Sequence, residues 1–248
     1  MKALILAAGY GTRLSSIAKD KPKALLEVKG RPILEYILQK LEPLKDIDEV
    51  FVVTNDKFYS VFREWAERQK VYSRPIVIIN DGTQKPEERL GSIGDIQFVL
   101  KNKNIAEDLL VIGGDNLFDY SLKEYIIFAR SKFPYVSIGL YDIGNKEAAK
   151  NLGIAALDQE KKIISFEEKP LEPQGTLAAM CLYFFPNDYL QRIDHYLEET
   201  GNKDRAGDYI RWLYEKSKVY GFQFSGRWYD IGSVESYKEA QSHFVNQY

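Results

Sequence analysis

Gly9, Gly11, Arg13 and, ten residues further on, Lys23 are the first residues of this chain whose types and spacing could do chemistry. The apolar run Leu4-Ile5-Leu6-Ala7-Ala8 leads into them and has the length of a strand. Glycines let backbone N–H groups approach an anion closely, and a loop of such groups cradles phosphate oxygens. Arg13 adds a forked donor set matched to those oxygens, and Lys23 adds a compact positive charge. The pattern points to a polyphosphate held at the carboxyl end of a first β-strand. It is not the dinucleotide fingerprint, because the third glycine position is Leu14, and it is not a P-loop, because no Gly-Lys-Ser/Thr follows at the right spacing.

A second set follows Leu109-Leu110-Val111-Ile112, which reads as a buried strand. Gly113 and Gly114 open space at its end, and Asp115-Asn116 places a carboxylate there. Ligands of open α/β sheets sit at the carboxyl ends of the strands, the edge to which the glycine loop also belongs. A hard oxygen donor in that position suits Mg²⁺, which is held by one or two carboxylates and completed by substrate phosphates.

Residues 32–41 carry apolar side chains at helical spacing, with Pro32 at a first-turn position. Residues 49–54 form a β-branched strand, 57–69 a helix with Phe58, Val61, Phe62 and Trp65 on one stripe, and 76–79 a third strand. Residues 80–89 read as a polar loop before a helix that runs through Lys101, and 122–132 and 135–140 repeat the helix–strand alternation. From Gly153 the pattern changes to a hairpin, 153–157 and 163–170 about a turn at 158–162, followed by a strand-like run at 178–185. Residues 187–200 and 208–216 are amphipathic helices, the second with Trp212 and Leu213 on its apolar side. The expected fold is α/β, a Rossmann-like, doubly wound, mostly parallel (mixed) sheet flanked by helices, with a small β-hairpin subregion. A single domain over 1–248 is expected, with one half at about 1–120 that carries the polyphosphate loop and another at about 121–248, since no linker or internal repeat interrupts the chain.

Of 248 residues, 45% are apolar and 28% charged, the balance of a globular protein, and the formal net charge of −2 favours neither nucleic acid nor an acidic membrane as partner. Cys181 stands alone in an apolar run, which excludes a disulfide framework and a thiolate zinc site and leaves a small buried hydrophobe. His195 and His243 lie in polar helical stretches without a second ligand at metal spacing and read as surface residues. No apolar run approaches the roughly 20 residues that span a bilayer, and the amino terminus enters a strand without the features of a secretory signal, so a cytoplasmic protein is expected.

Gly-x-Gly-Thr-Arg-Leu followed by Lys21-Pro22-Lys23 resembles the signature of the sugar-1-phosphate nucleotidyltransferases, the glucose-1-phosphate thymidylyltransferases and uridylyltransferases among them. These enzymes join a nucleoside triphosphate to a sugar 1-phosphate and release pyrophosphate. The resemblance implies that Ala8, Gly9, Gly11 and Thr12 bind the nucleotide and that Arg13 and Lys23 act in catalysis. It implies a base-reading loop and a turn at a helix start around Asn80, Gly91 and Ser92, where the highly charged loop and Asp95 depart from the common pattern. The family's Gly-Asp-Asn gives Asp115 to Mg²⁺, and its Trp-x-Asp-x-Gly-Ser/Thr, here Trp228 to Ser233, gives Asp230 to the same ion and Ser233 to the last helix as a cap. Its Glu-Lys-Pro assigns Glu168 to sugar hydroxyls and Lys169 to the sugar phosphate, with Gly153 and Tyr183 as neighbouring sugar contacts, Tyr183 equally readable as core. The four motifs occur in family order over essentially the whole chain.

The implied reaction is in-line attack of the sugar phosphate on the α-phosphorus, with UTP or dTTP and glucose 1-phosphate favoured and CTP, GTP or other sugars open. Without hexapeptide repeats, an acetyltransferase half is not expected, nor is the terminal extension of some thymidylyltransferases. A non-catalytic, ligand-sensing member of the fold is the alternative, although such a protein need not keep both carboxylates and both lysines, and all four are present. A Rossmann dehydrogenase fails on Leu14 and on the lack of a proton-relay residue. No oligomeric state is legible.

Overall fold

In the computed structural model, which describes residues 1–18 and 21–245, strands and helices are interspersed along the chain. The order opens with β1 (Lys2–Leu6), α1 (Ser15–Ala18), two short strands β2 (Glu27–Val28) and β3 (Arg31–Pro32), α2 (Ile33–Leu41), β4 (Glu49–Thr54), α3 (Asp56–Arg68) and β5 (Ile76–Asn80). It continues through α4 (Gly91–Lys103), β6 (Leu109–Gly113), β7 (Asn116–Phe118), α5 (Lys123–Ser131), β8 (Val136–Asp142), α6 (Lys146–Ala149), β9 (Gly153–Leu157), β10 (Ile163–Glu168) and β11 (Leu177–Phe185). The last elements are α7 (Asn187–Leu190), α8 (Arg192–Thr200), α9 (Ala206–Lys216), β12 (Val219–Phe224), β13 (Trp228–Asp230) and α10 (Val234–His243). The described chain divides into two compact units, Met1–Leu90 with Ile112–Lys123 and Gly226–Tyr248, and Gly91–Val111 with Glu124–Ser225. The division interleaves the sequence and runs through β6, where a single cut near residue 120 was expected.

In the first unit β1, β4 and β5 are parallel, with Leu4 opposite Phe51 and Val52 opposite Ile78. The central residues of β1 and the apolar residues of β4 are buried, β5 is half-buried apart from buried Ile79, and Ile33, Leu34, Ile37, Leu38 and Leu41 are buried on one face of α2. Pro32 is the N-cap of α2, one position before the first turn where the sequence suggested it. Asn55 caps α3 by accepting the Phe58 N–H at 3.1 Å. The end of β6 lies beside β1 through the Gly114 N–H, which donates to the Leu6 carbonyl at 2.8 Å. A Cβ on Gly114 would stand 2.8 Å from that same oxygen, so this glycine serves close packing and does not open space for a ligand.

In the second unit β9 and β10 form the expected hairpin, β11 pairs antiparallel with β9 and β8, and β12 runs parallel to β8. The class is thus α/β with mixed parallel and antiparallel strands, as expected. Strand β12 was not legible, because Gly221 interrupts its apolar pattern; a Cβ there would come 2.4 Å from the Leu140 Cδ1 atom. The helix expected over 187–200 is two helices meeting at Gln191, and α9 starts at Ala206, two residues early. Tyr196, Tyr209 and Trp212 pack ring against ring between α8 and α9, with centroids 5.0 to 6.0 Å apart. Among the described residues no helix is long and apolar enough to cross a membrane.

Candidate functional site

The glycine loop begins where β1 runs out of partners. The Ala7 N–H still donates to the Val53 carbonyl, and the Leu14 N–H turns back to the Gly11 carbonyl, both at 2.9 Å, so the amides of residues 8–13 lie between these two bonds. Gly11 has φ +65°, the left-handed conformation that glycine adopts without strain. Thr12 to Leu14 make one 3₁₀ turn, with Leu14 buried as its anchor and Gly9, Thr12 and Arg13 exposed. Two side chains hold the loop: buried Asn55 donates to the Ala8 carbonyl at 2.9 Å, and the Tyr10 hydroxyl donates to Thr83 Oγ1 at 3.1 Å. Thr83 is fixed in turn by donating to buried Asp81 at 2.8 Å. Parallel strands β1, β4 and β5 therefore deliver their following segments to one edge of this unit, as the strand-end rule requires.

Asp115 and Asp230 come from segments more than a hundred residues apart and lie side by side. Strand β13 pairs antiparallel with β7 so that Asp230 stands opposite Asn116, and the Ile231 N–H donates to the Asp115 carbonyl at 3.0 Å. The Trp228 indole N–H donates to the Oδ1 of buried Asn116, which joins the Gly-Asp-Asn and Trp-x-Asp motifs directly. At the far end of the pair the buried Asp119 carboxylate accepts the Arg227 N–H at 2.8 Å, and the Lys40 ammonium donates to the Asp119 carbonyl at 3.2 Å. Ser233 caps α10 in a reciprocal box with Ser236, at 3.1 Å from the Ser236 N–H, which anchors the chain after Asp230. The Lys23 ammonium is ion-paired with Asp115 at 3.1 Å, the two side chains 18% and 33% exposed. Among the described residues no group of three or more acidic, histidine or cysteine side chains could hold a metal. Asp115 and Asp230, adjacent along the paired backbones, offer hard oxygen donors of the kind that suits Mg²⁺, whose remaining positions go to water and phosphate oxygens.

In the second unit Gly153 and Glu168 face each other in the β9–β10 register. Lys169 follows in the left-handed region at φ +52°, with its N–H donating to the Leu152 carbonyl at 3.0 Å and its side chain exposed. Burial raises the Glu168 carboxyl above its ordinary range; Lys169 and Arg205 act against that shift and Asp208 adds to it. Tyr183 is 3% exposed, its hydroxyl pushed well above the usual phenol range by burial, so its place is the core reading and not an open sugar contact.

Two nucleotide expectations meet committed groups. Asn80 donates to Asp56 at 2.6 Å and accepts the Gly82 N–H at 2.9 Å, so its amide shapes the turn after β5. Gly91, at φ +77°, starts α4, but the Ser92 N–H donates to the Asp204 carbonyl at 2.8 Å and the Ile93 N–H to the Lys203 carbonyl at 3.0 Å. Those first-turn amides are engaged within the unit. Sequence reasoning missed Asn55, although a polar residue between strand and helix is an N-cap signal. It also missed Asp119, for which no local signal exists.

Residues 2–247 match the family described as Nucleotidyl transferase. The chain is 28% identical over 249 residues to the bifunctional protein GlmU of Methanocaldococcus jannaschii, covering 100% of this chain and 55% of that protein. It is 26% identical over 255 residues to the glucose-1-phosphate adenylyltransferase of Fervidobacterium nodosum, covering 98% of this chain and 60% of that one. The chain spans just over half the length of these curated relatives. Its fold is similar to that of a UDP-glucose pyrophosphorylase complexed with UDP-glucose, with a TM-score of 0.79 at 23% identity over 97% of each chain.

Proposed function

The chain belongs to the nucleotidyl transferase family, and on that premise we propose that it joins a nucleoside triphosphate to a sugar 1-phosphate and releases pyrophosphate. The observation that carries this reading is the pairing of β7 with β13, which brings the backbone of Asp230 next to that of Asp115, while Lys23 reaches the Asp115 carboxylate. UTP or dTTP with glucose 1-phosphate is the favoured pair. The adenylyltransferase name of one relative keeps other bases in the trial.

The nucleophile needs no general base. A phosphate monoester has its second pKa at about 6, so its oxygen is already anionic at neutral pH. Catalysis is then alignment and neutralisation of charge. The amides of Gly9 and Gly11, with the Arg13 guanidinium, hold the β- and γ-phosphates. Lys23 exchanges Asp115 for the α-phosphate when nucleotide arrives and steadies the charge that builds there. Ala8 and Thr12 shape the loop from which these amides project, Ala8 through its carbonyl on Asn55. Base selection falls to residues 80–90, shaped by Asn80, and Gly91 and Ser92 set the helix start that follows. Lys169 orients the attacking phosphate and Glu168 accepts hydroxyl hydrogen bonds from the sugar beside Gly153. Asp115 and Asp230 would hold Mg²⁺, which when bound supplies positive charge to the phosphate oxygens.

Pyrophosphate release measured over a grid of nucleoside triphosphates and sugar 1-phosphates tests the reading. Turnover is expected for one base with one or a few sugars. No release from any pair, with Mg²⁺ present, would overturn it.

A further inference from the structure

Glu168 stands in a slot made by two missing side chains. A Cβ built on Gly153, opposite it in the hairpin, would lie 3.0 Å from Glu168 Oε2. A Cβ on Gly207, the second residue of α9, would lie 1.9 Å from that oxygen and 2.7 Å from the carboxyl carbon. The contact at Gly153 is tight, whereas no real Cβ tolerates the one at Gly207, so there one partner must give way. The backbone around Gly207 is tied on the upstream side: the Lys203 and Asp204 carbonyls accept the first amides of α4, and Asn202 donates to Asp208 at 3.0 Å. Downstream it is the first turn of α9, anchored by buried Tyr209, Ile210 and Leu213. The Glu168 side chain is the free end of the clash and is what would move.

We propose that Gly207 is a positioning residue for Glu168, its bare backbone leaving the space in which the carboxylate stands ready for the hydroxyls of the acceptor sugar. The proposal deepens, and rests on, the nucleotidyltransferase reading. Any side chain at 207 tips Glu168 out of the slot toward water, with the fold kept and the nucleotide side untouched. The same steric logic makes this glycine a determinant of acceptor fit, because the carboxylate position sets which sugar hydroxyls it can reach.

Two readouts test it, one of which needs no turnover. In pyrophosphate release, G207A should raise KM for the sugar 1-phosphate about tenfold or more and leave KM for the nucleotide within about twofold. E168A should do the same, and the double variant should be no worse than the poorer single one. Equal, small effects on both KM values, or losses that multiply in the double variant, would overturn the proposal. In thermal unfolding, E168Q should stabilise the parent protein at neutral pH by removing a buried charge and should do little in the G207A background, where Glu168 is already solvated. An undiminished E168Q effect in G207A refutes the proposal whether or not the parent turns over. Failure of the parent to turn over any substrate pair refutes the underlying reading. If G207A does not fold, E168D/G207A, with a shorter acid, should recover folding; no recovery would place the clash elsewhere and overturn the assignment.

Discussion

Lys23 occupies the carboxylate that a metal ion would need, so removing its charge should strengthen metal binding in the absence of nucleotide. The ammonium lies 3.1 Å from Asp115 Oδ2. Coulomb's law at that distance gives about 1.3 kcal/mol at the dielectric constant of water and about 5 kcal/mol at an effective value of ~20. With the side chains 18% and 33% exposed, the pair is open enough to water to sit near the lower end. A net of about 1–2 kcal/mol corresponds to roughly a five- to thirtyfold change in an equilibrium constant. Lys23→Met should therefore bind Mn²⁺, followed by electron paramagnetic resonance at low salt, roughly tenfold more tightly than the parent when no nucleotide is present. Turnover should fall in the same variant by about 10²–10³, the usual cost of losing one electrostatic donor to a developing charge. Raising the salt concentration should shrink the difference in Mn²⁺ affinity, since the pair is partly exposed. Unchanged or weaker Mn²⁺ binding in Lys23→Met would refute the competition between the lysine and the ion.

Glu168 has its carboxyl raised above 4.5 by burial, so the folded protein holds that proton more tightly than the unfolded chain does. The sign follows: the stability it contributes is complete below about pH 4 and is lost as the pH rises through the raised value, so E168Q should melt higher than the parent near neutral pH and equally at pH 4 by calorimetry. Trp228→Phe keeps the ring and removes the indole donor to Asn116, which is 3% exposed. It should cost about 1–3 kcal/mol in denaturant unfolding and weaken Mn²⁺ binding by loosening the β7–β13 pairing that aligns Asp230.

The parts of the molecule legible in the sequence are those whose signals are local. An apolar run that breaks into Gly9-Tyr10-Gly11 reads as strand and turn from neighbouring residues alone, and Ser233 reads as a cap from its place before a helical stretch. Hairpin β9–β10 is likewise announced by two strand-like runs about a polar turn. What could not be read depends on partners remote in the chain. Nothing near Trp228 says that its indole meets Asn116, 112 residues earlier, and only the family resemblance linked Asp230 with Asp115. Gly114 looked like space for a ligand and is instead the contact surface for the Leu6 carbonyl. Gly91 fits the helix-start pattern, but its neighbours' amides are taken by Lys203 and Asp204, carbonyls supplied by a loop more than a hundred residues away. Tyr183 carries a polar tip, and burial inside β11 decides its place.

The central claim is that Asp115 and Asp230 act as one metal site beside the glycine loop. Mn²⁺ titration of the parent, Asp115→Asn, Asp230→Asn and the double variant tests it most directly. One ion per chain is expected in the parent, with either single substitution removing most of the affinity and the double variant no weaker than the worse single one. Binding in Asp230→Asn equal to that of the parent would contradict the shared site.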